Sequence, residues 1–387
     1  MIHLQAFRLE LFWITLFMNI DLLHHWLVSM RGGEKVLEQF STMFPSADIH
    51  TLVAVEKNIS RELQQHLIRT TSLGKLPGVK RYYKSLLPLY PMAIRNHRVE
   101  SDFILSSDAS LIKGVGQPDD VPHVCYCHSP PRYLWDMQEE YLQRMNPFSA
   151  QVLKRLTPYL RKFDLEGAAK VDHFLANSKF VQKRIKRIYN RESTVIYPPV
   201  DLSEFSYKHP QEEYYLMVSA LVPYKRVGLA VQAFNELEKP LVIIGSGSEK
   251  ERLEQMAGDN ISFLGSQPFE VLKEHYELCR AFIFPGVEDF GITPLEAQAS
   301  GKAVIAYKEG GALETVQEDE TGLFFEEQTP EALIEAVKRF EKIEKQFDRE
   351  RCRENASRFS PERFRSAIKD FLIGTYPSYF SDFQWGR

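Results

Sequence analysis

Phe282-Ile-Phe-Pro-Gly-Val-Glu-Asp-Phe-Gly-Ile-Thr-Pro-Leu-Glu-Ala-Gln-Ala-Ser-Gly-Lys302 reads as strand, loop, helix start, helix and turn in one run. Ala281–Phe284 is a short apolar run of the kind that forms a buried parallel strand, and Pro285-Gly286 ends it. Thr293 suits the N-cap of the next helix and Pro294 its first position. Glu296, three residues after that cap, completes a capping box. On this reading the N–H groups of Phe290, Gly291 and Ile292 and the positive end of the helix dipole face the carboxyl end of the strand, where α/β proteins hold phosphate. Gly291 lets the backbone approach a ligand closely. Two carboxylates bracket the helix start. Glu296 has a capping role open to it without any ligand. Glu288, in the loop, has none, and is either solvated or binds something.

The same alternation of strand and helix runs through the 387 residues, of which 44% are hydrophobic. That is enough for two cores. Strands are expected at Ile20–His24, Ile49–Val53, Asp102–Ser107, His123–Cys127, His173–Ser178 and Thr194–Tyr197. A second series follows at Tyr214–Ser219, Pro240–Gly245, Ile261–Leu264, Ala281–Phe284, Ala303–Ala306 and Gly322–Phe325. Helices are expected between most of them, with residues 61–98 helical and basic and residues 131–170 mostly helical. The pattern predicts the α/β class with doubly wound parallel sheets. Pro198-Pro199 and the polar run to Glu213 mark a boundary. The expected organisation is an N-terminal Rossmann-like domain over 18–200, a linker at 201–213, a C-terminal Rossmann-like domain over 214–370 and a tail at 371–387, with a central cleft between the domains. Residues 1–17 read as an extension upstream of a start at Met18, with a short membrane-touching helix as the alternative. No stretch reaches the ~18–20 apolar residues of a spanning helix, and no small-residue cleavage site follows Leu9–Met18.

The net charge of −4 is unevenly spread. Residues 1–200 carry 26 basic and 19 acidic side chains, and residues 201–387 carry 22 and 33. The segment 79–98 mixes Lys80, Arg81, Lys84, Arg95 and Arg98 with aromatic and apolar residues. It suits peripheral contact with an anionic membrane, or an ordinary solvated helix packed on its apolar face. Nothing in the pattern points to nucleic acid. Cys125, Cys127, Cys279 and Cys352 show no disulfide spacing, as expected of a reducing cytoplasm. Cys125-x-Cys127-His128 lacks the second ligand pair of a zinc site.

Four further segments carry candidate chemistry. Ser219-Ala-Leu-Val-Pro-Tyr-Lys-Arg226 opens a helix after a strand, and Lys225 and Arg226 there could grip a diphosphate. Arg31-Gly32-Gly33 is a glycine turn into the helix Val36–Met43, a plain turn or a backbone anion cradle. His128 ends a buried strand before Ser129-Pro130-Pro131-Arg132, a place for a cleft histidine as well as for a packed one. Gly245-Ser-Gly247 lacks the third glycine of a dinucleotide fingerprint, and Gly265 follows a strand end.

The spacing of Glu288 and Glu296, Phe290-Gly291-Ile292 and Ala297–Gly301 resemble the signature of glycosyltransferase family 4. These are retaining, nucleotide-sugar-dependent enzymes of the GT-B fold. Lys225 and the Cys125–Asp136 run resemble it too, and His24–Lys35 resembles mannosyltransferase-like members. The resemblance covers about residues 19–370. It implies Glu288 beside the donor sugar, Glu296 on the ribose, and Asp289 with the Phe290–Ile292 backbone around sugar and phosphate. Lys225 and Arg226 would lie on the diphosphate, Gly32 and Gly33 beside it, Gly265 near the base, and His128 near the sugar hydroxyls. Ala220 stands where many members have Arg, and His25 where many have Asp. The implied activity is transfer of a hexose, expected to be mannose from GDP-mannose, to a glycan or lipid-linked acceptor in cell-surface polysaccharide synthesis. No metal and no cofactor are expected. The other classes left open are a nucleotide-sugar epimerase or hydrolase on the same fold, and a non-catalytic sugar-binding partner subunit.

Overall fold

The computed structural model describes residues 18–386. The expectation for residues 1–17 lies outside them. The chain divides into two compact units, one running to Pro198 and resuming at Phe364, the other spanning Pro199–Arg363.

The first unit is built on seven parallel strands: β1 (Ile20–His24), β2 (Asp48–Thr51), β3 (Ile68–Thr70), β4 (Phe103–Asp108), β5 (His123–Cys127), β6 (His173–Ala176) and β7 (Ser193–Val195). Their order is β3-β2-β1-β4-β5-β6-β7. β1, β4 and β5 are buried along their whole length, because helices cover both faces of a central parallel strand. Alternation along β1 sends Leu22 into one apolar cluster with Val36, Phe40 and Leu105, and Leu23 into another with Leu52, Ile94 and Leu160.

The second unit holds six parallel strands: β8 (Tyr215–Val218), β9 (Leu241–Ile244), β10 (Ile261–Gly265), β11 (Phe282–Phe284), β12 (Val304–Tyr307) and β13 (Gly322–Phe325). Their order is β10-β9-β8-β11-β12-β13. The core on one side of this sheet gathers Met217, Ile243, Ile283 and Ile305 against Val231, Phe234 and Val337 of the covering helices. Both sheets are therefore Rossmann-like, as expected from the strand pattern.

Several boundaries differ from the expectation. Residues 201–213 belong to the second unit, and residues from Phe364 onward to the first. The reason is packing. Phe364, Ile368 and Leu372 of the helix Pro361–Thr375 enter the cluster containing Phe40 and Tyr126, and Phe380 stacks edge-on against Phe103 at 4.9 Å. The 61–98 region is not a run of helix. It holds the short helix Arg61–Gln64, the strand β3, 3₁₀ turns at Ser72–Lys75, Val79–Arg81 and Tyr83–Leu89, and the helix Tyr90–Arg95. Pro77 and Pro88 lack the N–H that a continuous helix needs, and Gly78 adopts φ 66°. Residues 131–137 are likewise turn rather than helix. Among the described residues no helix is long and apolar enough to cross a membrane.

Candidate functional site

In the second sheet the strand order reverses between β8 and β11, and ligands of open α/β sheets bind outside the carboxyl ends of strands at such a switch point. The segment 219–226 leaves β8 and the segment 285–291 leaves β11. Across them the Lys225 ammonium pairs with Glu288 Oε1. Their side chains keep 12% and 24% of their exposure, so the pair is sheltered but reachable. The approach depends on Gly286, where a Cβ would lie 3.0 Å from Lys225 Cα and carbonyl O. On the other side, Gly311 N–H donates to the Glu288 carbonyl at 2.8 Å. A Cβ at Gly311 would fall 2.1 Å from the Phe290 carbonyl O. The Gly310-Gly311 turn thus holds the backbone of the acidic loop by direct contact. Asp289 is half-buried beside Glu288, and Phe290 is buried and packs on Phe359 at 5.5 Å.

The helix start differs from the expected capping box. The helix is Ile292–Ala299, and its N-cap is Gly291 at φ 92°, a conformation glycine adopts without steric cost. The chain therefore enters the helix before Thr293, whose Oγ1 is buried without a hydrogen-bond partner. Glu296 is released from capping. Its Oε2 accepts a hydrogen bond from the hydroxyl of the buried Tyr276 at 2.9 Å. Burial first, then the negative charge of Glu296, push the Tyr276 phenol well above its usual pKa, so it remains a donor.

Arg226 is exposed at φ 54° and donates from Nε to Gln328 Oε1 at 2.9 Å. Gln328 Nε2 in turn donates to the Pro285 carbonyl at 2.9 Å. Arg226 is thereby tied to the loop that carries Glu288. Gly265 ends the edge strand β10, two strands from β8, and its carbonyl accepts from Gly245 N–H at 2.8 Å.

The first unit gathers a different constellation. Its strand order reverses between β1 and β4. His24 and His25 leave β1, Ser107 and Asp108 end β4, and His128 follows β5. Ser107 Oγ lies 2.7 Å from His128 Nε2 and 3.2 Å from His24 Nδ1, so one hydroxyl bridges two imidazoles. The covering helix begins at Gly32 rather than at Val36. The two glycines are its first residues, not a turn before it, because Glu34 Oε2 accepts the Arg31 N–H at 3.1 Å and closes the first turn. A Cβ at Gly33 would sit 3.5 Å from both His128 Nε2 and His24 Cε1. Burial first, then the neighbouring His25, lowers the His128 pKa to about 3. Burial likewise lowers His24 and His25. His128 is therefore a neutral ring at ordinary pH.

Behind these rings runs a buried charge network. Lys113 Nζ lies 2.6 Å from Asp164 Oδ1 and 3.3 Å from Asp108 Oδ2. Trp135 Nε1 donates to Asp164 Oδ2 at 2.8 Å, and Tyr189 donates its hydroxyl there at 3.0 Å. Burial opposes the lysine charge, but Asp164 and Asp108 together raise its pKa above the usual lysine value.

Two family profiles match this chain: "Glycosyltransferase Family 4" over residues 30–204 and "Glycosyl transferases group 1" over residues 201–359. Together they take in both switch points. The chain belongs to glycosyltransferase family 4. Among its curated relatives is the O-antigen chain mannosyltransferase RfbU of Salmonella typhimurium. It is 29% identical over 196 residues, 46% of this chain and 56% of the relative. The GDP-mannose-dependent alpha-(1-6)-phosphatidylinositol monomannoside mannosyltransferase of Mycobacterium tuberculosis is 34% identical over 138 residues, 31% of this chain and 36% of that one. The chain thus spans about half or less of the length of these relatives. The Anabaena protein HepE in complex with UDP shares the fold, with a TM-score of 0.67 at 17% identity over 92% of this chain and 100% of that one. The GT-B class expected from the resemblance is the class of these structural neighbours.

Three residues of the candidate site carry no clear signal in the sequence. Tyr276 and Gln328 lie in ordinary helix and loop sequence with no motif around them. Ser107 had a weak signal as the second serine at a strand's carboxyl end.

Proposed function

We propose that this family-4 chain is a retaining hexosyltransferase that moves mannose from GDP-mannose to a glycan or lipid-linked acceptor in cell-surface polysaccharide synthesis, with no metal ion or cofactor in the transfer step. The observation that carries the reading is the Lys225–Glu288 pair at the switch point of the second sheet. The names of the mannosyltransferase relatives support the choice of sugar and acceptor.

Chemically, transfer from a nucleotide diphosphate sugar needs positive charge for the departing diphosphate and negative charge near an oxocarbenium-like sugar. An arriving diphosphate competes with Glu288 for Lys225 and frees the carboxylate to face the sugar. Arg226 and the first-turn amides at Ile292 add to the phosphate side, with Asp289, Phe290 and Gly291 around the sugar. Glu296, steadied by Tyr276, takes the ribose hydroxyls, and Gly265 lies toward the base. In the first unit, Gly32 and Gly33 open a helix whose start could take a phosphate. His128, its Nε2 held by Ser107, offers Nδ1 to a sugar hydroxyl as a neutral hydrogen-bonding group rather than as an acid.

The test is a panel of nucleotide sugars with and without lipid-linked acceptors, in EDTA, with the product anomer read by NMR. Mannose transfer with retained α configuration is expected. Turnover of UDP-sugars alone would remove the mannose assignment, an inverted anomer the retaining one, and dependence on added metal the metal-free one. Epimer or free sugar formed without acceptor would favour the isomerase or hydrolase class.

A further inference from the structure

Toward the amino end of the first sheet, away from the histidines at the carboxyl ends of its strands, lies a second polar cluster. β1 and β2 run in parallel register with Asp21 beside Asp48. By alternation both carboxylates, and His50, stand on the face that carries Leu23 and Leu52. Two like charges placed side by side on one sheet face repel; Arg69 offsets the charge of Asp48, and a cation held between the two carboxylates would offset that of Asp21 as well. Asp21, Asp48 and His50 bring ligand atoms within 4.8 Å of one another.

His50 supplies the observation that points to a ligand. The residue is only 3% exposed. Its Nε2 is 3.2 Å from Asp21 Oδ2, yet that contact lacks hydrogen-bond geometry and Nε2 is left without a partner. Its other nitrogen, Nδ1, lies 2.8 Å from His97 Nε2. If Nδ1 carries the proton and donates it to His97, Nε2 presents a lone pair toward the two carboxylates. A metal-bound histidine is commonly oriented in this way, with its far N–H held by a neighbour. Asp48 is fixed too, through Arg69 Nε at 2.7 Å from its Oδ2. One imidazole and two carboxylates suit a borderline divalent ion of the zinc class better than calcium or magnesium, which prefer oxygen ligands alone.

We propose that Asp21, Asp48 and His50 form a divalent transition-metal site that clips β1 to β2, with His97 orienting His50 from outside the ligand set. Bringing the three atoms to bonding distance of one ion, about 2.0–2.2 Å, requires a small inward rotation of the carboxylates. The site is structural and separate from sugar transfer, so its failure and the failure of the proposed function are distinguishable.

The experiment uses the full chain, stripped with EDTA, reloaded with Zn²⁺ or Co²⁺ and passed through gel filtration. We expect about one ion retained per chain, as for a single site, a higher melting temperature with metal than without, and Co²⁺ visible absorption. His50→Ala and Asp21→Asn should lose the retained ion. His97→Phe, which keeps all three ligands, should weaken metal affinity about 10–100-fold. It serves as the informative variant if His50→Ala does not fold. Wild-type protein that retains no ion, or variants that all retain it as wild type does (an adventitious surface ion only), would overturn the proposal.

Discussion

The Tyr276 hydroxyl donates to Glu296 Oε2 at 2.9 Å, from the helix Phe269–Leu278 to the helix Ile292–Ala299. The bond gives a half-buried carboxylate one fixed orientation without help from a cap. Hydrogen bonds to charged groups contribute about 1.5–3 kcal/mol, so Tyr276→Phe should lower stability by roughly that amount. It should also raise the KM for donor more than it lowers kcat, since a freed Glu296 still reaches the ribose but is no longer held in place. Denaturant titration and initial rates at varied donor check this. An unchanged KM would show that Glu296 does not act on the donor.

The pairing of Lys225 with Glu288 predicts a specific pattern of damage. Lys225→Met should cost about 10²–10³-fold in transfer rate, the scale of removing one preorganised electrostatic contact. Glu288→Gln should lower kcat while leaving nucleotide affinity intact or improved, because the lysine loses its competitor for phosphate. Steady-state rates and calorimetric binding of GDP are the measurements. Full activity in Glu288→Gln would sink the role given to that carboxylate.

Acid should unfold the first unit through its histidines. Burial holds His128 and His123 at pKa values of about 3, below the unfolded value near 6.5. Above pH 6.5 both states are neutral and nothing is lost. As the pH falls from about 6.5 toward 3, the unfolded chain takes up protons that the folded one refuses. Each such histidine then removes about 1.4 kcal/mol of stability per pH unit. Urea midpoints across pH 7–4 should fall steeply, and less steeply in His123→Gln. A flat profile would contradict the neutral assignment.

Lys113 is the cation of a buried network with almost no exposure. Lys113→Met removes it and leaves Asp108 and Asp164 without their partner, which should cost about 3–5 kcal/mol. Thermal or chemical unfolding reads this directly. A loss under 1 kcal/mol, the range of an exposed pair, would mean that water reaches the network.

The 3₁₀ turns and short helix of residues 79–95 expose Tyr82, Leu89 and Met92 among Lys80, Arg81 and Lys84. Peripheral attachment through this surface predicts sedimentation with phosphatidylserine or phosphatidylglycerol vesicles. Each basic residue near the surface contributes about 1 kcal/mol, so the double variant K80E/R81E should bind at least tenfold more weakly, and salt should weaken the wild type. Equal binding to neutral vesicles would reject the electrostatic basis.

Much of the candidate site is legible in the sequence. Glu288 stood out because a loop acid next to a glycine-rich helix start has no structural duty, and Lys225 because a cation follows the matching strand. The capping box is not formed, because Thr293-Pro294 fits an N-cap only in isolation. The structure instead lets Gly291, at φ 92°, start the helix earlier, a choice made by the surrounding packing. The strand β3 was hidden inside a basic region because a three-residue strand at the sheet edge has no room for a recognisable period.

Sequence alone determined that this protein has two parallel sheets, because apolar runs punctuated by glycine and proline are a local record of which strands are buried on both faces. Tertiary structure alone decided that Lys225 meets Glu288, that Tyr276 holds Glu296, that one Ser107 hydroxyl serves two histidines, and that the helix Pro361–Thr375 packs into the core of the first unit. Those relations join residues far apart in the chain. They depend on strand order and on which loops leave neighbouring strands, and no short stretch of sequence contains that order.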